Sequence, residues 1–248
     1  MLNVNTFYVP VKKHGSHDQK THAGGRGGAI PPTWSKENNF TFGYDENLKL
    51  RQAYEAKYKK SNRYAENEAG EELSAVEFYV ADGYEEMNAY SRGLETFDGP
   101  TIQHIDRLNS RMDNAIDKAP PVVGDKNLYR VYSDRLLTDL QPGDKIVDKG
   151  FLSTTRIDIT GTSLSSRNTR SGLGSIRDSA DTVAVILPNA DKNGKGLVVS
   201  DFFASNGNNE NGIWQREFEV ILPRGTELTF LGYQEGEMER VAVFQRNN

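Results

Sequence analysis

The 248-residue chain contains no cysteine, which excludes disulfide staples, thiolate nucleophiles and cysteine-ligated metal centres. No apolar run approaches the ~20 residues that a membrane-spanning helix needs. Met1 to Pro10 shows neither the charged start nor the apolar stretch of a signal peptide. A positive surplus is missing too: 30 Lys and Arg stand against 35 Asp and Glu, a net charge of −5, so general affinity for nucleic acid or anionic membrane is not expected. What is present, 36% hydrophobic and 26% charged residues, suits a globular chain long enough to bury a core. A cytoplasmic or particle-associated protein is the expectation.

Residues 1–34 differ from the rest. Lys12 to Gly28 is basic and glycine-rich, has little to bury and runs on to Pro31-Pro32, which reads as a flexible tail. His14, His17 and His22 fall close together there, but without cysteine or an ordered scaffold they do not define a zinc site, and no metal is expected. Residues 35–248 read as a single domain.

Within that domain the periodicity changes once. Over 45–119 it is helical: Leu48, Ala53 and Tyr54, then Leu73, Val76, Phe78 and Tyr79, then Ile102, Ile105, Leu108, Met112 and Ile116 recur at spacings of three or four. Gly83, Gly93 and Gly99-Pro100 punctuate the series. Over 120–248 the chain turns to short β-branched or aromatic runs: 128–132, 149–155, 182–187, 196–199, 218–222, 227–231 and 240–244. Helices first and strands after is an α+β pattern. Two long polar stretches, Thr160 to Arg177 and Ala204 to Gly212, exceed ordinary connectors.

The most informative segment is Gly212 to Thr226, which sets Glu217 and Glu219 two apart in a strand-like run. Alternation along a strand turns both carboxylates to one face, about 7 Å apart, with Phe218, Val220 and Leu222 on the other. Paired acids of this kind also occur on solvated strand faces, but they suit a site that stabilises positive charge. Upstream stand an arginine inside a strand run, Arg130, and a hydroxyl-rich strand start, Phe151-Leu152-Ser153-Thr154-Thr155.

In this order, with Pro223-Arg224-Gly225-Thr226 after the last, these elements resemble the signature of arginine-specific mono-ADP-ribosyltransferases of the bacterial exotoxin type: Arg, Ser-Thr-Ser, Glu-x-Glu. Thr155 stands where a serine is usual and keeps the hydroxyl. Tyr84 to Gly93 resembles that family's Tyr-x-x-x-Asn helix, with Tyr84 and Asn88. The resemblance covers roughly residues 70–245. It implies an α+β ADP-ribosyltransferase fold of two packed, mostly antiparallel sheets with flanking N-terminal helices. It also implies transfer of ADP-ribose from NAD, the co-substrate, to an arginine of a protein, with nicotinamide leaving.

The roles follow from the same likeness. Glu219 would stabilise the ribosyl cation and Glu217 would orient or deprotonate the attacking guanidinium. Arg130 would hold the diphosphate. Ser153 and Thr154 would brace the pocket, and Tyr84 and Asn88 would face the dinucleotide. Trp214 and Gln215 lie where relatives recognise the acceptor, although Trp214 could equally pack on the domain. Arg167, Arg170 and Arg177 are undivided candidates for covering NAD.

The tail motif from Lys13 to His22 is similar to a short sequence of phage virion proteins, which implies a phage or prophage origin. The expected location is then the virion, the host bacterial cytoplasm or both, with a host protein as acceptor and phage particle proteins as further partners. Rival readings are an NAD glycohydrolase, a transferase to a non-protein acceptor, and an inactive virion or adaptor protein with this fold.

Overall fold

A computed structural model describes residues 9–10, 44–58, 68–122, 127–156, 159, 181–188, 194–205, 219–235 and 240–247. Four helices come early: α1 (Tyr44–Tyr58), α2 (Glu68–Phe78), α3 (Tyr84–Arg92) and α4 (Gly99–Lys118). The sequence of α4 explains its limits. Asp98 caps it by accepting from the Thr101 amide at 2.8 Å, Pro100 opens the first turn, and Lys118 sits at the negative C-terminal end. Of its expected stripe, Ile105, Leu108, Met112 and Ile116 are buried, and Ile102 in the first turn is half-buried.

Between α2 and α3, Tyr79–Gly83 form a π-helical turn. Such a turn carries one residue more than an α-turn and rotates everything after it. Tyr84 thereby comes beneath Tyr79, their rings edge to face at 6.3 Å. Gly83 permits the turn to close, since a Cβ there would lie 2.1 Å from the Phe78 ring. Just ahead of this turn, one expectation is corrected. Phe78 belongs to the apolar series by spacing but is 36% exposed, with its ring edge-on to His104 at 6.1 Å.

The strands are β1 (Val9–Pro10), β2 (Leu128–Ser133), β3 (Lys145–Asp148), β4 (Leu152–Thr155), β5 (Asp181–Leu187), β6 (Leu197–Val198), β7 (Glu219–Leu222), β8 (Thr226–Glu235) and β9 (Arg240–Arg246). Two short helices, α5 (Asp134–Leu137) and α6 (Val199–Ser205), lie among them. Hydrogen bonding runs continuously in the order β1-β3-β8-β9-β5-β2-β4-β7-β6. Among the described strands only β5 and β9 pair in parallel. The junction of β2 with β4 is thin, a single pair Tyr129↔Thr155, and it divides a larger group of strands from the small group β4-β7-β6.

Some expected boundaries move. The run from Lys149 becomes strand only at Leu152, because Gly150 N turns back to Asp148 Oδ1 at 2.9 Å. Of 196–199 only Leu197–Val198 are strand, and Val199 opens α6. Strand β3 escaped the periodicity because Lys-Ile-Val-Asp is short and bounded by charge. The larger apolar core lies between the helices and one sheet face, while Tyr129, Ile159, Val183, Val185, Leu187, Val241 and Val243 fill a smaller one on the other face. Strands β5 and β9 are thus covered on both faces, which is why 182–187 reads as continuous rather than alternating. No described helix is long and apolar enough to cross a membrane.

Candidate active site

The thin junction is where the sequence candidates meet. Arg130 on β2, Ser153 on β4 and Glu219 at the start of β7 occupy three neighbouring strands. Register fixes their relation: Thr155 faces Glu219 and Ser153 faces Ile221, so Ser153 and Glu219 project from one face. Arg130 donates from Nη1 to the Ser153 carbonyl and lies with Cζ 5.4 Å from the Tyr132 ring centroid. Its Nε is buried with no hydrogen-bond partner among the described residues, although the residue as a whole is half-buried. Burial lowers the Arg130 pKa, opposed by the negative charge of Asp148. A half-buried guanidinium keeps the charge and the planar donors that anionic groups bind.

The group that organises this corner is Tyr79, which the helical spacing offered only as core. Its ring is fully buried, and its hydroxyl lies 3.1 Å from Ser153 Oγ, receives a bond from Asn88 Nδ2 at 3.1 Å and reaches the Phe151 carbonyl at 3.4 Å. Burial, and then the charge of Glu219, push its phenol up to about 12, so it is a neutral hydrogen-bonding hub near neutral pH. The signal that could have found it is the five-residue interval to Tyr84. That interval is meaningless in an α-helix but in register across a π-turn.

Asn88 is buried and spends both ends of its amide on the protein: Nδ2 on Tyr79, and Oδ1 on the Phe151 amide at 2.7 Å. Tyr84 is half-buried, edge-on to Tyr79, with its hydroxyl 3.4 Å from Glu85 Oε1. Thr154 is buried and donates to the Val220 carbonyl at 2.7 Å, tying β4 to β7.

Two further residues were missed as partners because 56 positions separate them. Arg92 and Asp148 form a bidentate pair at 2.8 and 2.9 Å, clamping the end of α3 to the end of β3, just ahead of the turn into β4. Gly150 lies in the clamp, where a Cβ would stand 2.5 Å from Asn88 Oδ1 and 2.9 Å from Arg92 Nε. Glycine is therefore required for this close approach, not for its dihedral freedom.

Glu217, Trp214 and Gln215 lie outside the described residues, as do Arg167, Arg170, Arg177 and the three tail histidines. Among the described residues no group of three or more His, Cys, Asp or Glu could hold a metal. The arrangement places a guanidinium and a half-buried carboxylate on the two strands that flank β4. It is able to bind an anionic group at one end and stabilise positive charge at the other.

No family model matches the chain, and no curated relative matches it by sequence. Solved structures do. The C3 exoenzyme of Clostridium limosum superposes with a TM-score of 0.54 at 16% identity, over 84% of this chain and 97% of that one. The ADP-ribosyltransferase Vis, from Vibrio splendidus, gives 0.51 at 18% identity, over 84% and 87%. Plx2a, an ADP-ribosyltransferase toxin of Paenibacillus larvae, gives 0.50 at 15% identity, over 82% and 96%. At such low identity what is shared is architecture, and the chain has the ADP-ribosyltransferase fold seen in these solved structures.

Proposed function

We propose that this protein is a mono-ADP-ribosyltransferase that transfers ADP-ribose from NAD to an arginine side chain of a protein. The observation that carries the reading is the convergence of Arg130, Ser153 and Glu219 on β2, β4 and β7 within an ADP-ribosyltransferase fold. Arg130, half-buried at the strand junction, has the charge and the guanidinium donors to bind the diphosphate of NAD. Glu219 stabilises the cation that develops on the ribose as the bond from C1′ to nicotinamide breaks. The bonding electrons leave with nicotinamide. A guanidinium nitrogen then bonds to C1′ and gives up a proton, for which Glu217 is the proposed acceptor. Ser153, held by Tyr79, braces the pocket beside Glu219, and Asn88 acts by fixing Tyr79 and Phe151. Trp214 and Gln215 are proposed acceptor contacts.

The protein acceptor and its arginine rest on the Glu-x-Glu spacing, and a phage or prophage setting rests on the tail motif alone. The test is incubation with adenylate-labelled NAD and a bacterial lysate, with free arginine as competitor. Label on protein that free arginine suppresses is expected, and Glu217→Gln should remove it while sparing NAD cleavage. Free ADP-ribose as the sole product would identify a glycohydrolase, and unchanged NAD would overturn the enzymatic reading.

A further inference from the structure

A second cluster of buried charge lies where β4 ends. Arg156, the residue after β4, is 2% exposed, and Asp201, in the first turn of α6, is 3% exposed. Arg156 Nη1 stands 3.9 Å from Asp201 Oδ2, and Nη2 donates to Ser200 Oγ at 3.4 Å. From α1, Arg51 Nη2 lies 3.9 Å from Asp201 Oδ1. One turn along α1, buried Tyr54 accepts from the Val198 amide at 2.8 Å and meets Phe202 edge to face at 5.9 Å. Burial pushes the Asp201 carboxyl up and the Arg156 guanidinium down to about 10. Desolvating two charges offsets most of their attraction, and an apolar pair of similar volume is often as stable. Stability is therefore a poor reason for this pair.

Position is a better one. Arg156 follows Thr155, which is paired directly with Glu219. Asp201 belongs to α6, which ends at Ser205, and the next described residue is Glu219, which opens β7. The pair thus joins the strand end beside Glu219 to the last described helix before Glu219 in sequence, and the proposed acceptor residues Trp214, Gln215 and Glu217 lie between the two in sequence. We infer that Arg156 and Asp201 are positioning residues that fix α6 relative to Glu219 and so favour transfer to a guanidine acceptor over hydrolysis of NAD. They act through Thr155 and α6, not by contact with the reacting atoms. The reason for the bias is alignment: a side-chain acceptor must be held at attack distance, whereas water needs no such placement. This inference rests on the transferase reading above.

The test compares Arg156→Met, Arg156→Lys and Ser200→Ala, with NAD as donor and free arginine as acceptor. Arg156→Met should lower kcat/KM for arginine transfer ~10-fold or more, toward the ~10²-fold of a 1 Å misplacement. In the same variant the KM for NAD in hydrolysis should stay within ~2-fold, and Arg156→Lys should recover part of the transfer. Equal loss of both reactions, or no change in their ratio, overturns the inference. If Arg156→Met does not fold, Ser200→Ala and Arg156→Lys must still depress the transfer-to-hydrolysis ratio, and an unchanged ratio in both overturns it. Hydrogen exchange provides a readout independent of activity. Amides of 199–205 and 219–222 should exchange faster in whichever of Arg156→Met or Ser200→Ala folds, and unchanged protection there refutes the coupling. Wild-type protein that neither transfers nor hydrolyses would sink the transferase reading instead.

Discussion

Two arginines, half-buried Arg92 and buried Arg156, meet carboxylates around the candidate site, and they do so differently. Arg92 grips Asp148 with two hydrogen bonds at 2.8 and 2.9 Å, and Asp148 Oδ1 also takes the Gly150 amide. Arg156 stands 3.9 Å from Asp201, and its bond to Ser200 is a long 3.4 Å. The first is a bidentate clamp between α3 and the end of β3, with the carboxylate well supplied with donors. In the second the two charges stand farther apart, in surroundings that oppose ionisation of both partners. The approach to β4 is thus held by short directional bonds, and the residue after β4 sits in a more widely spaced charged cluster. Loss of the clamp should cost stability, whereas loss of the distant pair should cost arrangement.

Neither contact carries the charge proposed to react, so the largest effect should fall between them, at Glu219. Glu219→Gln is expected to lower both transfer and NAD cleavage by ~10²-fold or more with the fold intact by circular dichroism. Near-wild-type turnover would remove Glu219 from the chemistry. Next comes the clamp itself. Asp148→Asn leaves Arg92 without its charge partner and should cost about 3–5 kcal/mol in urea unfolding. Asp201→Asn should cost less, and equal losses would erase the contrast between the two ends of β4.

Smaller again is Gly150→Ala. Its added Cβ would sit 2.5 Å from Asn88 Oδ1, so the clamp must spread, at about 1–3 kcal/mol of overpacking. A neutral outcome in the same unfolding assay would show that α3 yields easily there. Smallest is Tyr79→Phe, expected to cost about 1 kcal/mol for lost hydrogen bonds at neutral pH. Its sharper signature is alkaline. With the folded pKa raised from 10.0 to about 12, stability tied to the phenolic proton is complete below pH 10 and is lost as pH rises through 12. Since other buried tyrosines also ionise reluctantly, the measurement is the difference between wild type and variant across pH 10 to 12. A parallel decline in both proteins would show that Tyr79 does not titrate this way.

Legibility varied with the range of the contact. The α4 stripe was readable because Ile105, Leu108, Met112 and Ile116 repeat at helical spacing and Asp98, Pro100 and Lys118 mark the ends. The strand runs of β5 and β9 were readable because both faces are apolar. Strand β3 and helix α6 were not, being short and partly polar. At the site, Arg130, Ser153 and Glu219 were nameable from motif order. Tyr79 was concealed as an ordinary helical aromatic, and Asn88 gave no sign that its amide would be consumed by Tyr79 and Phe151.

By itself the sequence determined the fold class and the residue types at the strand junction, because hydrophobic period, punctuation and motif order are local properties of the chain. Tertiary structure decided which of those groups touch. A π-turn rotated Tyr79 into register with Tyr84, a thin strand junction set Arg130 beside Ser153, and folding closed the 56-residue interval between Arg92 and Asp148. Such contacts depend on how helices dock on the sheet, and docking follows from the shape of the whole core. No local pattern encodes that.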